Sequence, residues 1–310
     1  MYLRRDESTR TVRAPAKLNI YLDVLGRRAD GFHELETLIV PVRWWDSVTL
    51  TPKPPAANGE AGELSLRVRS YLSARDTPQT LPPADHDNLV MRALKLLRER
   101  SGCAAGARVE LVKRIPMAAG LGGGSSDAAA VLSAANRAWG LGWDRDRLTE
   151  VGAEIGSDVP FFLGGGAAIC RGRGEGVESL PGILPLDFVI VKPPAGLATA
   201  EVYRAYDAIG TREPPARGNR LNELALALRV RRYGELGRLM MNRLEVAAAT
   251  LSPWVERVRS VFERLGCVGH QLSGSGSSYF GVCRHAQEAR RLAAVLRTRQ
   301  LGLVCATRSC

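Results

Sequence analysis

Lysine is scarce in this 310-residue chain. It occurs only at positions 17, 53, 95, 113 and 192, so arginine supplies nearly all of the positive charge behind a formal net charge of +11. Those arginines are scattered along the whole length, with no long basic run and no aromatic residues interleaved. A nucleic-acid surface needs both, so no nucleic-acid partner is expected. Long apolar runs are missing too: no stretch approaches the roughly 18 residues that a membrane span requires. The opening MYLRRDESTRTVRAPAK is charged throughout and lacks the apolar centre of a secretory signal. A cytoplasmic location with no membrane partner is expected. The six cysteines, at 103, 170, 267, 283, 305 and 310, form no C-x-x-C pair, and the four histidines do not join them at zinc-site spacing. No structural metal site is expected, and no residue is assigned as a metal ligand. The thiols read as small core residues or incidental surface groups in a reducing compartment.

What is present is an ordinary globular composition, 45% hydrophobic and 24% charged, in a chain long enough for two modest domains. Leu18 to Val24, Leu35 to Val42 and Leu64 to Val68 read as strands. The last lies inside a stretch from Pro52 to Asp87 that is otherwise rich in Pro, Ala, Gly and Asp. Asp87 is the expected cap of a helix through Met91, Leu94 and Leu97, ended by Gly102. Val109 to Ile115 reads as a strand. Ala128, Leu132, Ala135 and Trp139 then recur at helical spacing up to Gly140, and a short helix follows from Asp146 to Ile155. In the second half, the continuous apolar run Phe188 to Val191 is a strand. An amphipathic helix follows on Trp254, Val258, Val261, Phe262 and Leu265, then a glycine-rich turn. A helix through Leu292 to Leu296 and a strand at Leu303 to Ala306 close the chain. The pattern predicts an α+β architecture, with no internal repeat.

The segment Pro116, Met117, Ala118, Ala119, Gly120, Leu121, Gly122, Gly123, Gly124, Ser125, Ser126 is the most informative. Its glycines strip side chains from the backbone where a helix begins, and the two serines put hydroxyls in the first turn. Free N–H groups and the positive end of the helix dipole make such a place an anion site suited to phosphate. Bulk at Gly122 or Gly123 is therefore expected to block the approach of a phosphate. The Gly-Lys-Ser/Thr of a P-loop is absent, and no early strand with an acidic residue about 20 positions on marks a dinucleotide fold.

PMAAGLGGGSSDAAAVL closely resembles the second motif of the GHMP kinases, which hold the phosphates of ATP in this loop. APAKLNIYLDVLGRRADGFHEL is similar to the first motif, and QLSGSGSSYFGV to the third. The three stand in the right order between residues 14 and 282. The resemblance implies a two-domain kinase: a βαβ-containing ATP-binding domain over 1–180 and a ferredoxin-like domain over 181–310. The active site lies in the cleft between them, with ATP and Mg2+ as cofactors. It implies Lys17 and Asp158 as the catalytic pair. Taken singly, Lys17 reads as a solvated charge and Asp158 as a helix cap.

The run Asp30-Gly31-Phe32-His33-Glu34-Leu35 points to the branch of the family whose small-molecule substrate is a methylerythritol carried on cytidine diphosphate. That branch phosphorylates the 2-hydroxyl. A base needs an aromatic face and polar groups at its edge. Phe32 and His33 are the expected suppliers, with Tyr203 as a second face and Asn19 and Thr199 as weaker polar contacts. Family sequences often carry tyrosine where this chain has Phe32, so a hydroxyl contact is lost while stacking is kept. Asn242 and Glu245 are expected to shape the fold around the site, and Asp127 to cap the helix or sit near magnesium.

Overall fold

The computed structural model describes residues 3–6, 9–57, 60–72, 87–210 and 219–310, with side chains from Thr9 onward. Residues 73–86 of the polar stretch, His86 included, lie outside the described residues. After β1 (Leu3–Asp6), the strands β2 (Thr9–Arg27) and β3 (His33–Lys53) make a long antiparallel ribbon. At 19 and 21 residues, these strands far exceed the usual five or six. The ribbon stays paired because it bends at register shifts, between Pro15 and Ala16, Asn19 and Tyr21, and Val24 and Gly26. At the first of these, Pro15 faces Trp45 and Ala16 faces Val42, leaving Arg43 and Trp44 as the extra residues.

β4 (Leu64–Ser70) and β5 (Gly106–Lys113) pair in parallel, with α1 (Leu89–Ser101) as the crossover between them. The side chain that caps α1 is Asn88, accepting from the Val90 amide at 2.9 Å, and not the expected Asp87. Asparagine and aspartate cap about equally well, so two neighbours of this kind are not separable by type. Gly102 ends the helix with φ +65°. Next come α2 (Gly123–Ala138), α3 (Arg145–Ile155), α4 (Val159–Gly164), β6 (Ala168–Gly172) and β7 (Gly176–Ser179). The sheet runs β1-β2-β3-β5-β4, with β6 and β7 branching from the start of β3. Val12, Ala14, Val48 and Leu50 of the ribbon share a core with Leu94, Leu132 and Phe161 of the helices.

The rest of the chain forms β8 (Asp187–Lys192), α5 (Thr199–Ile209), α6 (Arg220–Val230), α7 (Tyr233–Leu239), β9 (Met241–Asn242), α8 (Glu245–Leu251), α9 (Pro253–Phe262), β10 (Gly269–Leu272), β11 (Tyr279–Cys283), α10 (Ala286–Thr298) and β12 (Leu303–Arg308). Its sheet order β10-β11-β8-β12 is antiparallel throughout, the ferredoxin-like arrangement. β8 reads as one apolar run because both of its faces are buried. Phe188 and Ile190 meet Leu18, Ile20 and Val40 of the ribbon, while Val189 and Val191 meet Val258, Phe262 and Leu292. β9 pairs in parallel with β2 at Tyr21 and Leu22, so the first sheet is completed from the second half of the chain.

Candidate active site

β2 alternates as it crosses the centre of the molecule. Ala16, Leu18 and Ile20 go into the core, which leaves Lys17 and Asn19 on the opposite face. Lys17 is 5% exposed, so it is not the solvated charge its type suggests. Its Nζ donates to Asn19 Oδ1 at 2.6 Å and lies 3.6 Å from Asp158 Oδ2. Asn19 in turn donates to Thr37 Oγ1 at 2.9 Å, and Thr37 donates to the Tyr21 carbonyl. Asp158 immediately precedes α4, yet its carboxylate caps nothing there. It faces Lys17 and lines the cleft instead.

The glycine loop enters α2 over Lys17, whose own amide donates to the Leu121 carbonyl at 3.0 Å. Gly120 and Gly122 take φ of +70° and +67°, the left-handed region, where a side chain is strained. The space beside them decides more. A Cβ on Gly120 would come within 2.0 Å of the Ser273 carbonyl, and one on Gly122 within 2.9 Å of Lys17 Cγ and Phe162 Cζ. On Gly123 it would meet Ile115 and Lys113. Bulk at these positions thus strikes the protein itself, a reason for glycine that the sequence reading did not contain. Gly122→Ala should therefore lower turnover by at least about tenfold by displacing the Lys17 stem, an effect set by misplacement of a reacting group. Steady-state kinetics on the folded variant checks this; unchanged turnover would sink it.

Pro116 to Ser125 all line one cleft of about 890 Å³, whereas Ser126 is fully buried behind the first turn. The Ser126 hydroxyl and Asp127 Oδ1 are buried without a hydrogen-bond partner among the described residues. Asp127 Oδ2 accepts from Lys113 Nζ at 2.7 Å, and Lys113 also donates to Asp46. Asp46 further accepts the amides of Arg114 and Ile115. Burial pushes the Asp127 carboxyl up to about 8, with Lys113 opposing and Asp46 adding to the shift. For Lys113 burial works downward, but the two carboxylates outweigh it and the ammonium is raised. This cluster ties β3, β5 and α2 together at the root of the loop.

The turn between β10 and β11 closes over the loop. Ser273 Oγ donates to the Gly120 carbonyl at 3.0 Å and the Ser278 amide to the Ala119 carbonyl at 3.0 Å. Asn242 donates to the Leu272 and Gly274 carbonyls, and Glu245 accepts from the Leu272 amide and the Tyr279 hydroxyl. Burial raises the Glu245 carboxyl, while those two donors oppose the shift. Both residues serve the frame.

At the far end of the cleft Phe32 is 52% exposed, with the Arg173 guanidinium 5.0 Å from its ring centre. His33 stacks on Tyr203, with ring centres 4.9 Å apart and planes at 22°. Thr199 meets Ser275 hydroxyl to hydroxyl at 2.9 Å. The cleft thus gathers Lys17, Asn19, Phe32, His33, Asp158, Thr199 and Tyr203 with the glycine loop. Lys113, Thr37, Asn88, Arg173 and Asp207 line it as well, and sequence reading missed them there. Asp207 had a signal, four residues after Tyr203 on one helix. Arg173, in a short turn between strands, had none.

The comparisons agree with this geometry. The model of the GHMP kinase N-terminal domain matches residues 88–166, and that of the C-terminal domain matches 224–300. The fold is also that of a homoserine kinase from Cytophaga hutchinsonii, with a TM-score of 0.74 at 20% identity over 100% of this chain and 97% of that one. The chain belongs to the GHMP kinases. Within them, it is 39% identical to the 4-diphosphocytidyl-2-C-methyl-D-erythritol kinase of Pelotomaculum thermopropionicum over 92% of each chain. A crystal structure of 4-(cytidine 5'-diphospho)-2C-methyl-D-erythritol kinase matches with a TM-score of 0.76 and 34% identity, over 96% of this chain and 98% of that one.

Proposed function

We propose that the protein transfers the γ-phosphoryl group of ATP to the 2-hydroxyl of 4-diphosphocytidyl-2-C-methyl-D-erythritol. The products are the 2-phosphate and ADP, in the non-mevalonate route to isoprenoid precursors. The observation that carries this reading is the Lys17–Asp158 pair, 3.6 Å apart between a phosphate loop and an aromatic recess of one cleft. Phosphoryl transfer needs an aligned hydroxyl and stabilisation of charge on the moving group. Asp158 accepts or orients the hydroxyl proton, and the Lys17 ammonium faces the developing charge. Asn19 and Thr37 hold Lys17 in place from behind.

The N–H groups that open α2 hold the ATP phosphates. Asp127, which lines the cleft with its Oδ1 unpartnered among the described residues, would be the residue to hold a phosphate-bound Mg2+, which would neutralise charge on the phosphates. At the other end, Phe32 and Tyr203 offer faces to cytosine. An assay of ADP release with 4-diphosphocytidyl-2-C-methyl-D-erythritol, mevalonate and homoserine tests the whole reading. Only the first should sustain turnover. Phe32→Ala should weaken that substrate by about 1–3 kcal/mol, the worth of one aromatic stack, and leave ATP affinity alone. Calorimetry showing equal losses for both ligands would assign Phe32 to folding.

A further inference from the structure

Among the buried lysines, Lys17 sits against Asp158, and Lys113 against Asp46 and Asp127. Lys192, the last residue of β8, has no such partner. It is fully enclosed, and burial alone pushes its ammonium down to about 8, with no carboxylate of the described residues acting on it. Lysine is almost never found so deep without a paired charge. Its Nζ donates instead to two main-chain oxygens, the Pro193 carbonyl at 2.6 Å and the Ala195 carbonyl at 3.1 Å. Both belong to the segment that leads from β8 to α5. Pro193 and Pro194 have no N–H with which to tie that segment down, so its carbonyls need an outside donor. An ammonium brings three N–H groups.

The Ala195 carbonyl also accepts from Ser277 Oγ at 2.6 Å. Ser277 lies wholly buried in the turn between β10 and β11, and its neighbour Ser278 donates its amide to the Ala119 carbonyl. Two residues past Ala195, the Leu197 amide donates to the Ala118 carbonyl at 3.4 Å. Ala118 has φ +46°, a left-handed conformation that a residue with a side chain keeps only where its surroundings hold it. Ala118 and Ala119 line the cleft, and Lys192 does not. We propose that Lys192 is a positioning residue for ATP, anchoring from behind the cleft the segment and the turn that hold Ala118 and Ala119 of the glycine loop. This rests on that loop as the holder of the ATP phosphates. An uncharged side chain of similar length fills the space but leaves the Pro193 carbonyl without its donor. The segment is then free to shift, and the start of the loop with it.

The test is calorimetric binding of a non-hydrolysable ATP analogue with Mg2+ to the full chain, on either side of pH 8. Below it, Lys192→Met should weaken the analogue by about tenfold, as the competent loop falls to about one part in ten. Above it the wild type loses the ammonium as well, so the ratio of the two affinities should shrink toward one. Titration of Asp127 is common to both proteins and cancels in that ratio. The 193–198 segment and the 273–278 turn carry no titratable side chain, and burial raises Tyr279 and Cys305 on the flanking strands, which stay neutral. Ser277→Ala should follow the opposite course. It removes the second donor to Ala195, so its deficit against wild type should grow as the ammonium is lost. That arm decides the matter if Lys192→Met does not fold. An unchanged affinity in Lys192→Met, or a ratio indifferent to pH in either variant, overturns the inference and leaves Lys192 a filler of the core. In those cases a wild type that binds the analogue leaves the loop standing as the ATP site. A wild type that does not bind it removes both.

Discussion

Asp158→Asn and Lys17→Met should each reduce single-turnover phosphoryl transfer by about 10²–10⁴-fold, while ATP and the alcohol substrate still bind. The expectation follows from where these two groups stand. Among the described residues Asp158 has no cap to serve and no partner nearer than the lysine, and Lys17 is buried beside the glycine loop. In the proposed reaction each contact strengthens as charge moves, so turnover should suffer more than affinity. The two losses should also fall far short of additive in the double variant, because either change disables one arrangement. Near-normal transfer in Asp158→Asn would show the carboxylate to be dispensable. Additive losses would instead separate the two residues into independent roles. Lys17→Met additionally releases Asn19, so its unfolding midpoint must be measured beside its rate.

Lys113→Met should lower the unfolding free energy by about 3–5 kcal/mol, the usual cost of stranding a buried charge. Methionine keeps the length of the stem but leaves Asp46 and Asp127, both buried, facing each other without a cation. Denaturant titration reads this as a lower midpoint at an unchanged slope. Lys53→Met, which breaks an exposed pair with Glu63, is the control and should leave the midpoint where it is. A midpoint for Lys113→Met as high as the control's would mean that the cluster is not what holds the loop root.

Much of the site was legible because its parts are local motifs. The glycine run before α2 can be read as a helix-start anion site without any tertiary knowledge, and β2 and β8 declare themselves by apolar pattern. What single-residue reasoning had backwards was exposure. Lys17, taken singly a solvated charge, is buried in the structure. Only the resemblance to a kinase family pointed the right way. The functions of glycine at 120 and 122 were also hidden, since they depend on Ser273 and on Lys17, residues far away along the chain. Asp207 and Lys113 were missed for the same reason: each is defined by a partner that only the fold supplies. The capping of α1 by Asn88 was lost to a simpler cause, two equivalent caps side by side.

The closure of the glycine loop by the turn between β10 and β11 has a consequence for synthesis. Gly120 receives its hydrogen bond from Ser273, 153 positions later, and Ala119 receives one from Ser278. A ribosome that has completed the first half of the chain has therefore made the loop but not its lid. Nucleotide cannot favour the native state of that nascent half, because ligand stabilisation requires a formed site. ATP should begin to protect the growing polypeptide from protease only after β11 has left the exit tunnel.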